Sequence, residues 1–163
     1  MVLVYLALGT NLGDREKNLR EAIAHLSPQV TVTRESPVYE TEPWGMQDQP
    51  RFLNMVVEGE TALEPHALLD FLKRLERELG RTEGVRYGPR VIDLDILLYD
   101  DLVLSRDDLK IPHPRLAERR FVLVPLAAIA PDLLHPIEGV SIRALLARRA
   151  DDHRVRLYGD LVQ

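Results

Sequence analysis

Two aspartates, Asp93 and Asp95, stand two residues apart in an apolar stretch that is typical of a β-strand. Side chains alternate between the two faces of a strand, so both carboxylates point the same way, about 7 Å apart at their Cα atoms. Two carboxylates on one face repel each other unless a cation lies opposite them. Because Mg²⁺ is bound by one or two carboxylates together with substrate phosphates, the pair is a candidate magnesium site. A solvated strand face balanced by Arg86 or Arg90 is the alternative that spacing alone leaves open.

The segment just before these aspartates, residues 81–90, contains Arg81, Arg86 and Arg90 together with two glycines. Guanidinium groups bind phosphate bidentately, and glycines allow a loop to move over a ligand. Without the neighbouring aspartates, ordinary surface arginines would be the better interpretation. Because the segment lies next to the two aspartates, it indicates triphosphate recognition.

A second group of residues could hold a flat heterocycle. Phe52 and Asn54 alternate onto the same face of a predicted strand. The ring would supply a stacking platform, and the amide both donates and accepts in-plane hydrogen bonds. The preceding loop, residues 41–45, could add backbone groups. The structural alternative is that Phe52 is a core residue, as most strand phenylalanines are.

Glu76 and His113 are weaker candidates. Glu76 lies in the last turn of a predicted helix, where the helix dipole disfavours a negative charge and a ligand contact could compensate. A surface glutamate paired with an arginine is the simpler interpretation. His113, between Pro112 and Pro114, could contact a phosphate or the leaving group, although loop histidines such as His135 are usually only exposed.

The elements that must position these residues follow from hydrophobic periodicity. Leucines at i, i+4, i+7 and i+11 predict a helix between Pro65 and Gly80. The other predicted elements are a helix between Asp14 and Pro28, strands at 2–8, 30–39, 51–60 and 91–99, a short partner of the last strand at 102–104, and short helices at 121–128 and 142–148. This order predicts an α+β fold with a ferredoxin-like split βαβ core, its antiparallel sheet carrying helices on one face, and a C-terminal extension with short helices, in a single domain over residues 1–163.

Composition excludes several classes of protein. The 163-residue chain has a net charge of −5, which argues against a general nucleic-acid binder. The absence of cysteine excludes disulfides and cysteine-ligated metals and fits a cytoplasmic location. The longest apolar run is about half the length needed to cross a bilayer, so no membrane partner is expected. No P-loop or dinucleotide-binding fingerprint occurs. Because no excess apolar surface is obvious, a monomer is expected.

Several motifs, in the same order along nearly the whole chain, resemble the 6-hydroxymethyl-7,8-dihydropterin pyrophosphokinase family. They lie at residues 8–13, 39–45, 47–50, 52–54, 86–97, 111–114 and 119–121. The resemblance implies an enzyme of folate biosynthesis that transfers pyrophosphate from ATP to 6-hydroxymethyl-7,8-dihydropterin and releases AMP. ATP and the pterin would be its small-molecule partners.

The resemblance also implies roles for individual residues. Asp93 and Asp95 would hold two Mg²⁺ ions that bridge the ATP phosphates and the substrate hydroxyl. The pterin would stack between Phe52 and Phe121. Its edge would be recognised by Asn54 and by the segment containing Thr41, Trp44 and Gly45. Glu76 and the backbone of Ile96 would bind the nucleotide. Arg81, Arg90 and His113 would contact the phosphates or stabilise the transition state, and Arg119 would lie near the pterin and the phosphates. The catalytic residues would then be Arg81, Arg90, Asp95 and His113, and no general base is assigned.

The chain departs from the family pattern in three places. Residues 81–90 are one residue shorter, Tyr87 replaces a tryptophan, and Pro114 stands where some members have an aromatic nucleotide contact. These differences concern loop closure and adenine packing and leave the aspartate pair untouched.

Two other functions fit part of the pattern. A metal-dependent phosphohydrolase or nuclease would use the carboxylates to activate water, but would leave Phe52 and Asn54 without a purpose. A non-catalytic ferredoxin-like module that binds a ligand or RNA would not need the aspartate pair. An aromatic content of 6% also argues against an RNA-binding sheet.

Overall fold

The computed structural model describes residues 1–41, 49–80, 91–149 and 155–161. Its strands are β1 Val2–Thr10, β2 Val30–Glu35, β3 Val38–Thr41, β4 Phe52–Thr61, β5 Asp93–Tyr99, β6 Leu104–Ser105, β7 Lys110–Ile111 and β8 Val155–Gly159. Its helices are α1 Arg15–Leu26, α2 Pro65–Glu78, α3 Arg120–Ile129 and α4 Ile142–Arg148, with a 3-10 turn at Leu116–Glu118.

The main sheet confirms the predicted ferredoxin-like order. β1 lies between β4 and β5 and pairs antiparallel with both, while β2 and β3 pair with the other side of β4. The strand predicted at 30–39 is two strands instead. Pro37 has no backbone N–H to donate to a ladder, and Ser36 replaces the regular pairing, since its N–H donates to the Val56 carbonyl and its hydroxyl accepts from the Val56 N–H, each at 2.9 Å.

Hydrophobic side chains alternate along the three central strands and form a core on each face of the sheet. Helices α1 and α2 cover one face, where Leu8, Met55 and Leu94 are almost fully buried. Helices α3 and α4 cover part of the other face, around Val56 and Leu97. Each fully buried leucine or valine contributes about 2 kcal/mol through removal of apolar surface from water. The helices of the C-terminal extension therefore pack on the second face, which the prediction of helices on one face did not include.

The helices begin where the sequence predicts. The Asp14 carboxylate accepts from the Lys17 N–H at 3.2 Å at the start of α1, and the Ser141 hydroxyl caps α4 through the Ala144 N–H at 3.1 Å. Pro65 occupies the first turn of α2, where its missing N–H costs nothing. Among the described residues, no helix is both long and apolar enough to span a bilayer.

Two details of the predicted topology are wrong. The segment near 102–104 does not pair with β5, because β6 turns back through an Arg106 N–H to Leu109 carbonyl bond and pairs with β7. Strand β8, which pairs with β3 at the end of the sheet, was not predicted. Its Leu157 is 68% exposed, so the strand carries little of the hydrophobic signal that identifies buried strands.

His135 is buried, with 5% of its surface exposed, so the expectation of an exposed loop histidine is wrong. Its Nδ1 atom accepts from the N–H groups of Ile137 and Glu138 at 3.2 and 3.1 Å. Burial lowers the pKa of His135 from its ordinary value of 6.5, and Glu138 opposes this only in part. The folded protein therefore keeps this ring neutral at a pH where the unfolded chain takes up a proton.

Acidification from pH 7 to pH 5 is expected to lower the melting temperature, because the unfolded state gains a proton below about pH 6.5 that folded His135 binds less readily. In His135→Asn, the amide oxygen keeps the acceptor but nothing titrates, so the loss of stability over this range should be smaller. Calorimetry at both pH values measures the change in melting temperature, and His25→Asn, at an exposed histidine, is the control. An identical pH dependence in His135→Asn and the wild type would contradict this account.

Candidate active site

The central strand β1 places the candidate residues in one row across the sheet. Gly9 is the register partner of Asn54 on β4 and of Asp93 on β5. Ala7, two residues earlier, is the partner of Asp95. Register partners share a face, so both aspartates and Asn54 lie on the same side of the sheet, as period-two alternation predicts for Asp93 and Asp95. All three side chains are half-buried.

Gly9 allows the close approach of the Asn54 amide. A Cβ atom at this position would lie 2.9 Å from Asn54 Oδ1 and 3.9 Å from a ring carbon of Phe52. The Asn54 Nδ2 atom donates to the Thr41 hydroxyl at 2.7 Å, which fixes the amide against β3. Thr41 is itself buried and is the register partner of Phe52. Thr41, Phe52 and Asn54 lie apart in the sequence, and the structure brings these three predicted site residues together.

Two residues that sequence analysis missed hold the chain just before Phe52. The Asn11 amide donates at 2.9 Å to both Gln49 Oε1 and the Pro50 carbonyl, and Asn11 is 1% exposed. The Arg15 guanidinium donates to the Arg51 carbonyl at 2.9 Å and to Glu40 at 3.0 Å. Asn11 belongs to the motif at 8–13, which was the available signal, but only the tertiary structure shows what it contacts.

Phe121 and Arg119 lie at the start of α3, which packs on the same face of the sheet. Phe121 packs against the core on that face, and the Arg119 guanidinium lies 5.5 Å from its ring centroid. Phe52, at the start of β4, is half-buried on the Asn54 side. Two aromatic rings therefore border the face that carries the amide and the carboxylates.

Glu76 is 1% exposed, so the interpretation of an ordinary surface glutamate is wrong. Its Oε2 atom accepts from the Leu94 N–H at 2.7 Å, and its Oε1 atom lies 3.4 Å from Lys73 Nζ. Leu94 is the residue between the two aspartates. Ile96, the other residue expected near a nucleotide, is 5% exposed in the same strand.

His113 is fixed beside β5 by its own backbone and ring. Its N–H donates to the Leu97 carbonyl at 2.9 Å, and its Nδ1 atom accepts from the Arg115 N–H at 3.1 Å. Burial lowers the pKa of His113 from 6.5; Arg119, Arg115 and Lys73 lower it further, and Asp95 opposes the shift. The ring is therefore neutral at pH 7, and because Nδ1 is an acceptor, Nε2 carries the proton and is available as a hydrogen-bond donor.

The surface next to the neutral His113 ring is positively charged, through Arg115 and Arg119. A cavity of about 210 Å³ is lined by Arg115, Glu118, Arg119 and Arg149. Three guanidinium groups against one carboxylate give this cavity a net positive charge, which favours anions.

The donor set on β5 fits Mg²⁺. Within the described ranges no group of three or more histidine, aspartate or glutamate side chains could hold a metal ion by itself. Two carboxylates on one face are the donor set that Mg²⁺ uses when substrate phosphates complete its coordination. The chemistry of Asp93 and Asp95 is thus that of a site completed by a phosphate-bearing ligand.

Five of the predicted site residues, Trp44, Gly45, Arg81, Arg86 and Arg90, lie outside the described residues. The predictions for them rest on the sequence alone.

Comparison with known proteins identifies one family. The family model described as 7,8-dihydro-6-hydroxymethylpterin-pyrophosphokinase (HPPK) matches residues 5–131. The 2-amino-4-hydroxy-6-hydroxymethyldihydropteridine pyrophosphokinase of Bacillus subtilis is 53% identical over 129 residues, which cover 78% of this chain and 77% of that protein. The protein of the same name from Aquifex aeolicus is 45% identical over 137 residues, 84% of this chain and 86% of its own.

Longer proteins contain a related region. The mitochondrial folate synthesis bifunctional protein of Arabidopsis thaliana is 54% identical over 124 residues, but these make up only 22% of it. A crystal structure of the Plasmodium falciparum HPPK-DHPS triple mutant superposes with a TM-score of 0.75 over 90% of this chain and 41% of that chain, at 17% identity. At that identity the superposition supports the fold alone.

Proposed function

The chain belongs to the 7,8-dihydro-6-hydroxymethylpterin-pyrophosphokinase family and transfers pyrophosphate from ATP to 6-hydroxymethyl-7,8-dihydropterin. We propose that the reaction requires Mg²⁺ and that Asp93 and Asp95 hold two Mg²⁺ ions. AMP is the second product. The reaction is a step of folate biosynthesis.

The observation that carries the proposed site is the register of β1 with its two neighbours. Asn54 and Asp93 are both partners of Gly9, so their Cα atoms lie two strand spacings apart, about 10 Å. A heterocycle read by Asn54 would lie across Gly9 with its hydroxymethyl arm directed toward the carboxylates. This geometry suits attack of the hydroxymethyl oxygen on the β-phosphorus of ATP, with cleavage of the bond to the AMP oxygen.

On the phosphate side, Asp93 and Asp95 would hold Mg²⁺, which would supply charge neutralisation on the phosphates. The neutral ring of His113 would donate from Nε2 to a phosphate oxygen. Arg81, Arg90 and Arg119 would add positive charge around the transferred group. Catalysis then depends on positioning and electrostatic stabilisation, as in other phosphoryl transfers.

On the substrate side, we propose that Phe52 and Phe121 stack on the pterin and that Asn54 reads its edge. Thr41 would orient the Asn54 amide, and backbone groups near Trp44 and Gly45 would complete recognition. Glu76 and the backbone of Ile96 would belong to the nucleotide site.

Chromatography of the products formed from ATP, Mg²⁺ and 6-hydroxymethyl-7,8-dihydropterin tests the proposed function. AMP and the pterin diphosphate should appear in equal amounts, and only when both metal and pterin are present. ADP or free phosphate as the main product would instead support the kinase or phosphohydrolase alternative.

Gly9→Ala is expected to weaken pterin binding about tenfold, because the new methyl group meets the Asn54 amide at 2.9 Å and displaces it. The KM for ATP should change little, since the methyl group faces the amide and not the carboxylates. Gly139→Ala, where an added Cβ meets no atom within 4 Å but is strained by a φ of +70°, controls for the loss of stability that a glycine substitution causes away from the site. Unchanged pterin affinity in Gly9→Ala would contradict the proposed placement of the substrate.

We further propose that residues 1–163 form a single catalytic domain that acts as a cytoplasmic monomer. The cysteine-free composition supports the location. Sedimentation of the purified protein, with a mass near 18.6 kDa expected, tests the oligomeric state.

A further inference from the structure

Glu76 is a buried charge in an unfavourable place. It is 1% exposed and lies near the C-terminus of α2, where the helix dipole opposes a negative charge. Burying a carboxylate is costly unless it is paired and hydrogen-bonded. A leucine would continue the apolar stripe of α2, whose Leu68, Leu72 and Leu75 are buried. The carboxylate must therefore provide something that an apolar residue cannot.

The partners of Glu76 show what its carboxylate provides. Glu76 Oε2 accepts from the Leu94 N–H at 2.7 Å, a short charge-assisted hydrogen bond, and the Lys73 ammonium lies 3.4 Å from Oε1. Strand β5 is at the end of the described sheet and has a strand neighbour, β1, on one side only. Backbone N–H groups on the outer side of such a strand need another acceptor. For Leu94, this acceptor is Glu76.

Leu94 separates Asp93 from Asp95, so the bond fixes the backbone between the two proposed metal ligands. Residues that orient metal ligands typically change metal affinity or activity by 10- to 100-fold when they are altered. A displacement of about 1 Å at the reacting groups can cost a hundredfold in rate. This bond joins β5 to α2 between the two proposed metal ligands, on the side of β5 that has no strand neighbour in the described sheet.

We propose that Glu76 is a positioning residue for the metal site, which acts through the Leu94 N–H to hold Asp93 and Asp95 in place. This inference rests on the proposed function of the aspartates and adds a role for Glu76 that does not require its contact with the nucleotide. What Glu76 must supply is an oxygen acceptor at the correct reach; its negative charge is secondary.

Two conservative variants separate the effect of side-chain length from the effect of side-chain charge. Glu76→Gln keeps the side-chain length and an oxygen acceptor but removes the charge, and Lys73 can turn toward solvent because its side chain is already 40% exposed. Glu76→Asp keeps the charge but shortens the side chain by one methylene, so its oxygens no longer reach Leu94. Glu78→Gln and Glu78→Asp are matched controls in the same helix, since the Glu78 side chain is 60% exposed.

Two measurements that need no turnover are made on the folded variants: hydrogen exchange of the Leu94 amide, and Mn²⁺ affinity in the presence of α,β-methylene ATP. Glu76→Asp should speed Leu94 exchange and weaken Mn²⁺ binding at least about tenfold, whereas Glu76→Gln should keep Leu94 exchange near that of the wild type and weaken Mn²⁺ binding less than Glu76→Asp does. Pterin affinity should not change in either variant.

The opposite ranking, with Glu76→Gln impaired and Glu76→Asp normal, would overturn the inference and show that the charge itself acts on the ligand. Unchanged Leu94 exchange in Glu76→Asp would also overturn it. Failure of the proposed function is separately visible, because wild-type protein would then form no pterin diphosphate, while the exchange and Mn²⁺ measurements could still be made.

Discussion

Asp95→Ala is expected to lower kcat by at least about a thousandfold while the melting temperature stays near that of the wild type. The variant removes one of two carboxylates proposed to hold Mg²⁺ on the transferred phosphates, and loss of such electrostatic stabilisation typically costs a hundredfold to a thousandfold or more. The fold should persist because Asp95 is half-buried and belongs to neither hydrophobic core.

Steady-state kinetics at saturating Mg²⁺ and ATP, with circular dichroism on the same samples, measures this effect. Asp101→Ala is the matched control, since Asp101 is an exposed aspartate in the turn that follows β5. Full activity of Asp95→Ala under these conditions would eliminate the proposed metal site.

Asn54→Leu is expected to weaken pterin binding by about a hundredfold and to leave the KM for ATP unchanged. Leucine has a similar size but offers no hydrogen bonds, so the polar edge of the heterocycle would be buried without partners, at a cost of about 1–3 kcal/mol for each unsatisfied group. Equilibrium binding of the pterin, followed by its fluorescence, measures the change without turnover.

Thr41→Val should produce a smaller loss of pterin affinity for the same reason. Valine keeps the shape of threonine but loses the hydroxyl that accepts from Asn54 at 2.7 Å, so the amide remains but is no longer oriented. An intermediate loss, about tenfold, is expected. Equal pterin affinity in wild type, Thr41→Val and Asn54→Leu would contradict the proposed recognition of the heterocycle.

The sequence predicts most of the local structure because local patterns determine it. The leucine spacing of α2 and the alternation around Asp93 and Asp95 depend only on helical and strand periods, and both predictions are confirmed. Strand β8 was not predictable from such a pattern, because its exposed Leu157 gives no alternation of buried and exposed residues. The short β6–β7 hairpin is likewise decided by the turn from Arg106 to Leu109, not by hydrophobic spacing.

Contacts between distant parts of the chain were not predictable in the same way. Gly9 joins Asn54 to Asp93 only through the registers of two strand pairs, which one sequence does not specify. The burial of Glu76 depends on the packing of α2 beside β5, and a glutamate in a last helical turn is usually exposed. The family resemblance named these residues, whereas the structure supplies the contacts from which their roles are argued.

We propose that Asp93 and Asp95 bind two divalent ions together with the ATP phosphates. Electron paramagnetic resonance of Mn²⁺, titrated into the protein with saturating α,β-methylene ATP, counts these ions directly, because this analogue blocks cleavage of the bond that the reaction breaks. The wild type should bind two Mn²⁺ ions tightly, and the double variant Asp93→Asn with Asp95→Asn should lose both from the tight range. Two ions bound by the double variant with wild-type affinity would contradict the account.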